Sequence, residues 1–335
     1  MKIIENYPLL KHNTFHFNIN AKIFAEYNSI DELRDILTKY RDEKMLHIGA
    51  GSNLLFTDNF SGLVLHSDIQ YYQIISEDDN TTRIKVGSGV VFDDFIEYAI
   101  SNGMGGAENL SYIPGEVGAS AVQNIGAYGV EAKDIIHEVE AVHTKTLESR
   151  LLSNAECQYA YRDSIFKGEL KGQYIVTAVT FNLSKCPTLQ LDYGNVRQSL
   201  QEISHPTIAD VRRAIIGIRK QKLPEVSELG SAGSFFKNPI LSNDHFKQLQ
   251  REYPQIPFYD APNGNGKKVP AAWLITTAGL KGKTIGDAQV YEKQPLVIVN
   301  RGNAKPQDIV KLAELVSEEV KAKFNVTLHP EVNYI

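Results

Sequence analysis

The spacing of apolar residues predicts alternating strands and helices in the N-terminal part of the chain. Residues 21–27 form a largely apolar run that predicts a strand. Ser29 follows as a candidate N-cap, with Glu32 at the capping-box position, so we expect a helix from there to about Tyr40. A second apolar run over residues 45–48 predicts another strand, which leads directly into a glycine loop.

The glycine loop has the sequence Gly49-Ala50-Gly51-Ser52-Asn53-Leu54-Leu55, and its position after a strand invites a Rossmann interpretation. That interpretation fails in detail, because the third glycine of the fingerprint is absent and residues 54–60 read as strand and turn instead of opening a helix. We therefore expect any nucleotide bound at this loop to be held by a different geometry.

The remaining pattern predicts an α+β chain without internal repeats. Short β-rich runs fill residues 62–90, and the main domain boundary is expected at Leu223-Pro224, where an amphipathic helix ends. Apolar spacing and cap residues predict a strand over residues 296–300 and helices over residues 92–100, 207–222 with Thr207 as the cap, 244–253, 270–279 with Pro270 at the start, and 307–324.

Residues 103–129 are rich in glycine, with seven glycines, one proline and few charges. A flexible linker is one interpretation, but apolar residues such as Leu110, Val117 and Ile125 are interleaved with the glycines, which is untypical of linkers. We therefore expect an ordered segment whose backbone approaches another group closely.

Length and charge narrow the class of protein. A chain of 335 residues exceeds one ordinary hydrophobic core, so two or three domains are expected. The net charge of −5 argues against a general binder of nucleic acid or acidic membranes, because such proteins need a basic face. We expect small-molecule partners, no nucleic-acid or membrane partner, and a monomer.

The N-terminal residues show no export signal, and the apolar runs are far shorter than the roughly 20 residues of a membrane-spanning helix. We therefore expect a cytoplasmic protein. Cys157 and Cys186 lack the spacing of a zinc site or a redox pair, so we interpret them as buried or incidental thiols and expect no metal site.

Further motifs follow the glycine loop. These are Ile113-Pro114-Gly115-Glu116-Val117-Gly118 with Gln123-Asn124-Ile125-Gly126-Ala127-Tyr128-Gly129, then Tyr161-Arg162-Asp163-Ser164-Ile165-Phe166, Gly230-Ser231-Ala232-Gly233-Ser234-Phe235-Phe236-Lys237-Asn238-Pro239, and Leu328-His329-Pro330-Glu331-Val332. Together the segments resemble the UDP-N-acetylenolpyruvoylglucosamine reductase family through nearly the whole chain, in the longer form that has a substrate-closing tyrosine.

The resemblance implies an α+β fold with an FAD-binding domain of the vanillyl-alcohol-oxidase type (PCMH-type) and a C-terminal α+β substrate-binding domain. We expect the FAD-binding domain over residues 1–222, with subdomains of about 1–65 and 66–222. The substrate-binding domain is expected over residues 225–322, and residues 323–335 are expected to return to the FAD-binding domain as a C-terminal strand.

The resemblance also implies noncovalent FAD and NADPH as cofactors. The two glycine-rich segments would bind FAD, because backbone N–H groups can face a diphosphate where no Cβ intervenes. The residues implied are Gly49, Ala50, Gly51, Ser52, Asn53, Leu54, Ile113, Pro114, Gly115, Gly118, Ala119, Val122, Asn124, Gly126, Ala127, Tyr128 and Arg219.

Three residues match the family's catalytic positions, namely Arg162, Ser234 and Glu331. Taken alone, they read as a surface ion pair with Asp163, a loop hydroxyl and a solvated carboxylate. Their joint occurrence in three matching contexts favours the catalytic interpretation. The implied reaction is NADPH-dependent reduction of the enolpyruvyl group of UDP-N-acetylglucosamine enolpyruvate to UDP-N-acetylmuramate, in peptidoglycan precursor synthesis.

These residue types suit that chemistry. Arg162 offers a fixed cation for the substrate carboxylate, which gains negative charge during reduction. Ser234 would donate a proton to the enolate-like intermediate, and Glu331 would orient or polarise it. The resemblance places six further residues on the substrate, namely Tyr193, Lys222, Asn238, Tyr259, Lys281 and Gln294.

Two other functions remain open from the sequence. An FAD-linked oxidase of sugars or alcohols would share the cofactor fold and would often carry a covalent flavin, yet no histidine or cysteine lies in the two glycine-rich flavin segments. A flavin- or nucleotide-binding regulator without turnover would leave the three catalytic matches unexplained.

Overall fold

The computed structural model describes residues 1–261 and 264–335. Its backbone divides into two compact units that are both discontinuous in sequence. The first unit comprises residues 1–8, 20–50 and 59–220, and the second comprises residues 9–19, 51–58 and 221–335. The predicted limits of the FAD-binding domain (1–222), the substrate-binding domain (225–322) and the returning C-terminal strand (323–335) stay predictions.

The regular elements follow one another as short strands and helices. The strands are β1 (Lys2–Pro8), β2 (Asn20–Tyr27), β3 (Met45–Ile48), β4 (Leu54–Leu55), β5 (Phe60–Ser67), β6 (Tyr72–Glu77), β7 (Thr81–Gly87), β8 (Gly126–Ala127), β9 (Val130–Glu131), β10 (Ile136–His143), β11 (Ser149–Ser153), β12 (Tyr174–Ser184), β13 (Gly230–Ser234), β14 (Ile240–Leu241), β15 (Tyr259–Asp260), β16 (Lys267–Lys268), β17 (Thr284–Ile285), β18 (Ala288–Val290), β19 (Val297–Asn300) and β20 (Asn333–Tyr334). The α-helices are α1 (Ile30–Lys39), α2 (Phe92–Ser101), α3 (Val117–Gln123), α4 (Val196–Ser199), α5 (Ile208–Lys222), α6 (Asn243–Glu252), α7 (Ala271–Thr277) and α8 (Pro306–Phe324). Short 3-10 helices lie at Leu9–His12, Glu108–Leu110 and Ala132–Asp134.

The first unit begins with a four-stranded sheet in the order β1-β2-β5-β3, in which β2, β5 and β3 run parallel. Helix α1 buries Leu33 and Ile36 in a core with Leu63 and Leu65 of β5. The Glu32 N–H donates to Ser29 Oγ over 3.2 Å, which confirms the predicted N-cap. The glycine loop starts directly after β3, so it lies at the carboxyl ends of the parallel strands, where open α/β sheets place their ligands.

A five-stranded antiparallel sheet in the order β11-β10-β12-β7-β6 forms the rest of this unit with α2, α3 and α5. Its core includes Phe92 and Phe95 of α2 and Phe181 of β12. The glycine-rich segment 103–129 is folded into a 3-10 helix, α3 and β8, so the linker interpretation is wrong. Leu110 and Val117 are buried there and anchor the segment to the core.

The second unit holds a four-stranded antiparallel sheet in the order β13-β19-β18-β17, with α8 packed against it through Ile309, Leu312 and Val316. A three-stranded sheet in the order β14-β16-β15 lies in the same unit. The C-terminal strand β20 pairs in parallel with β4, which follows the first glycines of the loop.

Helix α7 begins one residue after Pro270, which occupies the N-cap position and has no side-chain oxygen to cap the helix. Asn238 Oδ1 accepts the Ala271 N–H over 2.9 Å and supplies that cap from another segment. Gly279 ends the helix in a left-handed conformation, with a φ of 77°, as its position in the sequence predicts.

Across residues 1–261 and 264–335, no helix is both long and apolar enough to cross a membrane. In the same described part of the chain, no group of three or more His, Cys, Asp and Glu side chains is arranged to hold a metal ion.

Candidate active site

The second glycine-rich segment wraps around helix α3. Gly115 precedes the helix with a φ of 129°, and Asn124 ends it in a left-handed conformation with a φ of 46°. Asn124 is fully buried, and its amide donates to Ala160 O over 2.8 Å and accepts the Lys133 N–H over 3.0 Å. Its side chain therefore organises the protein, and its backbone N–H donates to Ser120 O, so its predicted contact with the cofactor stays a prediction.

Arg162 lies on a tight turn that is held against this segment. Ala160 and Asp163 exchange backbone hydrogen bonds of 3.1 and 3.0 Å across the turn. Arg162 itself adopts a left-handed backbone with a φ of 55°, which costs free energy in a non-glycine residue. Its guanidinium donates to the carbonyl oxygen of Gly126. The fold thus directs the predicted catalytic cation onto the predicted flavin segment.

Gly126 is required by this contact. A Cβ on Gly126 would lie 2.8 Å from Arg162 Nη1 and 2.9 Å from Val130 O, closer than such contacts occur. Gly51 and Gly118 are likewise constrained, because their Cβ atoms would lie 1.9 Å from His12 O and 2.8 Å from Ser88 Cβ. The sequence interpretation explained these glycines by approach to a diphosphate alone, whereas the structure shows that packing within the protein also requires them.

Two tyrosines and a second arginine surround the same segment. Tyr128 has a φ of 48°, and its ring meets that of Tyr193 edge to face with centroids 6.5 Å apart. Arg219 Nε donates to Tyr112 O over 3.0 Å. Burial raises the pKa of the Tyr128 hydroxyl, and the positive charge of Arg219 partly offsets that effect. Arg219 therefore brings a second positive charge close to this segment, in the same unit as Arg162.

The first glycine loop meets the second segment at Gly49. A Cβ on Gly49 would lie 3.1 Å from Glu116 Oε2 and 3.4 Å from the Ala119 Cβ. Glu116 was part of the motif in the sequence but received no role there. Only the structure shows that Glu116 is buried and lies opposite Gly49, because no local sequence pattern predicts either feature.

Ser234 lies at a bulge in β13. Ser231 pairs with Val299 and Ser234 with Val297, so β13 carries one residue more than β19 over this stretch. Gly233, with a φ of 68°, absorbs the extra residue. Bulges of this kind re-aim a side chain and are common beside active sites. Ser234 is half-buried there.

Glu331 lies beside this strand. Its N–H donates to Phe235 O over 2.8 Å, and the Lys237 N–H donates to His329 O over 2.9 Å. Asn53 Nδ2 donates to the carbonyl oxygen of Glu331 over 3.3 Å. Within the second unit, Glu331 therefore contacts Phe235, which follows Ser234, and Asn53 of the first glycine loop.

The remaining predicted site residues divide between the units. Tyr193 lies in the first unit, while Lys222, Asn238, Tyr259, Lys281 and Gln294 lie in the second. Lys222, Tyr259 and Lys281 are exposed, and the Lys268 ammonium lies 5.9 Å from the centre of the Tyr259 ring. The predicted approach of Arg162 to Ser234 and Glu331 stays a prediction.

The first unit has features that fit an anionic dinucleotide such as FAD. Arg162 and Arg219 supply positive charge close to the second segment. Burial is the main cause that lowers the pKa of Arg219, and the charge of Arg162 lowers it further. Gly115 adopts a backbone that a side chain would strain, and Gly49 is half-buried. Cationic side chains beside accessible glycine backbone are suited to a diphosphate.

Comparisons with known proteins identify similar enzymes. A family model described as UDP-N-acetylenolpyruvoylglucosamine reductase, C-terminal domain, matches residues 224–335, and a model of an FAD binding domain matches residues 21–146. A UDP-N-acetylenolpyruvoylglucosamine reductase of Bacteroides fragilis is 49% identical over 332 residues, which cover 99% of both chains. The enzyme of that name from Flavobacterium johnsoniae is 43% identical over 338 residues, with 100% of both chains covered.

Among solved structures, the chain is similar to a UDP-N-acetylenolpyruvylglucosamine reductase from Thermus caldophilus. The TM-score is 0.69 at 23% identity, with 99% of this chain and 98% of that chain covered. The expected fold is confirmed: an α+β chain with a vanillyl-alcohol-oxidase-type FAD-binding domain and a C-terminal α+β domain.

Proposed function

The chain belongs to the UDP-N-acetylenolpyruvoylglucosamine reductase family, and we propose that Arg162, Ser234 and Glu331 carry out its reaction. It is an FAD-dependent oxidoreductase that uses NADPH to reduce the enolpyruvyl group of UDP-N-acetylglucosamine enolpyruvate in peptidoglycan precursor synthesis. The observation that best supports the assignment of residues is the contact of Arg162 with Gly126, a residue of the predicted flavin segment.

Arg162 is proposed to bind the substrate carboxylate. Reduction at the methylene carbon drives negative charge through the adjacent carbon into that carboxylate, so a fixed cation stabilises the transition state more than the ground state. The turn at 160–163 and the Gly126 carbonyl hold the guanidinium in place before substrate binds. Preorganisation of this kind avoids reorientation during the reaction.

Ser234 is proposed to protonate the carbon next to the carboxylate. A serine hydroxyl is a weak acid, but an enolate-like intermediate is basic enough to accept its proton. Glu331 would orient or polarise the intermediate. The hydrogen bond from Glu331 N–H to Phe235 O supports this role, because it fixes the glutamate backbone next to the residue that follows Ser234.

The two glycine-rich segments are proposed to hold FAD noncovalently, through the cofactor-binding residues that the resemblance implies there, together with Arg219. Bound FAD supplies the two-electron reduction that side chains of the chain cannot perform. Arg219 would contribute positive charge for the diphosphate. Acid precipitation tests the noncovalent assignment directly, because yellow flavin should appear in the supernatant and none should remain with the precipitated chain.

The UDP-sugar is proposed to bind through Tyr193, Lys222, Asn238, Tyr259, Lys281 and Gln294. Lysines and a tyrosine suit a diphosphate and a uracil. The Asn238 side-chain oxygen already accepts the Ala271 N–H. Its side-chain NH2 group is therefore the part that can donate to a ligand. We also propose that the protein is a cytoplasmic monomer without nucleic-acid or membrane partners, which size-exclusion chromatography with light scattering and cell fractionation test.

A coupled assay tests the whole proposal. Purified protein should oxidise NADPH only when the enolpyruvyl substrate is present, with product formed in equal amount under anaerobic conditions. An oxidase would instead consume oxygen with a sugar or alcohol. Oxygen uptake without enolpyruvyl turnover would contradict the assignment.

A further inference from the structure

A row of charged residues crosses the parallel sheet just before the first glycine loop. Glu26 of β2 lies beside His66 of β5, and His66 lies beside Ile48 of β3 in the strand register. His66 Nδ1 is 3.1 Å from Glu26 Oε2, and His66 Nε2 is 2.9 Å from Glu116 Oε1. Both ring nitrogens therefore face a carboxylate oxygen.

With both carboxylates ionised, this arrangement requires a charged imidazole. A neutral imidazole has only one N–H, so one of its nitrogens would present a lone pair to a carboxylate. The imidazolium donates to both carboxylates. Burial lowers the pKa of His66, but the hydrogen bonds and charges of Glu116 and Glu26 outweigh it, and the net pKa is raised.

The other titratable groups around His66 fit this charge state. His47 of β3 bonds the Tyr27 hydroxyl over 2.8 Å, and burial together with the charge of His66 lowers the pKa of His47 to about 3, which keeps it neutral. Burial raises the pKa of Tyr27, so this hydroxyl also stays neutral. Asp68, after β5, adds a negative charge that raises the pKa of Glu116. His66 is therefore the positive charge that faces these groups.

Glu116 links the row to both glycine-rich segments. It precedes α3, and its side chain is only 9% exposed. Its second oxygen lies against Gly49, where a Cβ would be 3.1 Å away. Burial raises the pKa of Glu116, while the hydrogen bond and charge of His66 oppose that rise and favour the carboxylate. Without His66, this carboxylate would lie desolvated and unpaired at the first glycine loop.

We propose that Glu26, His66 and Glu116 form a positioning triad that joins the two flavin segments, and that the imidazolium of His66 neutralises the Glu116 carboxylate beside the cofactor diphosphate. This inference rests on the proposed FAD site. The triad touches the loops and not the reacting atoms, so it governs how tightly FAD is held. Loss of the positive charge leaves a carboxylate next to an anionic ligand, which weakens binding.

A double-mutant cycle on the holoenzyme tests the proposal. FAD release is followed by the rise in flavin fluorescence after dilution at pH 7. His66→Gln should accelerate release about tenfold or more, because a neutral amide leaves the charge of the buried Glu116 carboxylate without an opposing cation. Glu116→Gln in the same chain should restore release to within about threefold of the unmodified protein, because no carboxylate then lies buried beside the first glycine loop, and the Glu26 carboxylate that loses its partner is part-exposed.

The matched control is Lys85→Gln. Lys85 pairs with Glu140 on the five-stranded sheet of the same unit, with side chains 25% and 19% exposed. Its loss should lower thermal stability without changing FAD release. If His66→Gln and the double variant release FAD equally fast, the charge-neutralisation role is wrong.

A pH profile separates positioning from a simple structural role. The pKa of His66 is raised in the folded protein, so the imidazolium is fully present below its ordinary value of 6.5 and is lost as pH rises through the raised value. FAD release should therefore accelerate above that pH. Glu116→Gln should flatten the profile, and Glu26→Gln should shift its midpoint to lower pH, because one of the two carboxylates that favour the imidazolium is removed.

The outcomes distinguish this inference from the proposed function. If the purified protein carries no FAD and binds none, the proposed cofactor site fails. If it binds FAD but all three variants show the same release rate and pH profile as the unmodified protein, only the triad's role is overturned. If one of the other variants unfolds below the assay temperature, Glu26→Gln is used for the comparison with the unmodified protein, because it leaves the contact between His66 and Glu116 in place.

Discussion

The backbone N–H of Glu331 donates a hydrogen bond of 2.8 Å to the carbonyl oxygen of Phe235. This bond places the C-terminal segment alongside the strand end that carries Ser234. Phe236 and Pro330 form an antiparallel bridge next to it, so the two segments are aligned over several residues. Two residues of the proposed catalytic set thus owe their proximity to backbone pairing, which is insensitive to side-chain substitution.

Ser234→Ala should separate the two half-reactions. The variant lacks the proposed proton donor, whereas flavin reduction by NADPH has no need for that hydroxyl. Reduction should therefore persist, while reoxidation by substrate should slow by about 10²- to 10⁴-fold. Stopped-flow absorbance of the flavin measures each half-reaction.

The control for this experiment is Ser231→Ala in the same strand. Ser231 is buried, and its backbone N–H donates to Thr14 O, so its side chain is not proposed to act in catalysis. Both half-reactions should proceed at normal rates. A Ser234 variant that loses reduction by NADPH but reoxidises normally would show that the serine has another role.

Gly126→Ala should impair the enzyme through Arg162. The new methyl group would lie 2.8 Å from Arg162 Nη1, so the guanidinium must move away from the position in which we propose that it binds the substrate carboxylate. Misplacement of this size should slow reoxidation by substrate by about 10- to 100-fold. If the effect passes through Arg162, the double variant with Arg162→Ala should be no slower than Arg162→Ala alone.

Gly217→Ala provides the contrasting glycine. Gly217 lies inside α5, its φ is not among the left-handed values, and no atom lies within 4 Å of a Cβ built on it. Alanine is favoured over glycine within helices, so the free energy of unfolding should rise by about 0.5 to 1 kcal/mol. Urea denaturation measures this change, and a decrease would show that glycine has a hidden role in α5.

Local signals made most of the α-helices predictable. Ser29 accepts the Glu32 N–H as expected, and Thr207 Oγ1 accepts the Asp210 N–H at the start of α5. Caps and apolar spacing involve residues within a turn or two, so the sequence displays them directly. The reading of the glycine loop as a departure from the Rossmann fingerprint succeeded for the same reason, since β4 follows the loop where a helix would otherwise begin.

Long-range relationships were not predictable in this way. The left-handed backbone of Arg162 and its contact with Gly126 depend on residues 36 positions apart. The link between His66 and Glu116 spans 50 positions and follows no periodicity. The family motif identified Arg162 as important, but only the fold shows what holds it. No sequence signal assigned a role to His66 or Glu116.

The two cysteines should differ sharply in reactivity. Cys186 is exposed, whereas Cys157 is fully buried and burial raises the pKa of its thiol to about 11. Only the thiolate is nucleophilic, so iodoacetamide at pH 8 should modify one site in the folded protein. Mass spectrometry should find label on Cys186 alone, and Cys186→Ser should abolish labelling until the protein is unfolded in urea. Label on Cys157 in the folded protein would contradict this.

Removal of Asn333–Ile335 should loosen the first glycine loop. Asn53 O accepts the Asn333 N–H over 3.0 Å, and Ile335 O accepts both the N–H and the hydroxyl of Thr57 over 3.0 and 2.8 Å. These bonds and the pairing of β20 with β4 hold the loop and the Glu331 segment together. The truncated protein should release FAD about tenfold faster or more, because several hydrogen bonds that hold the loop are lost together. Asn333→Ala, which keeps the backbone pairing and removes only the side-chain bond to Asn53 O, should have a much smaller effect. A truncated protein that retains FAD as well as the full chain would show that the terminal strand does not support the loop.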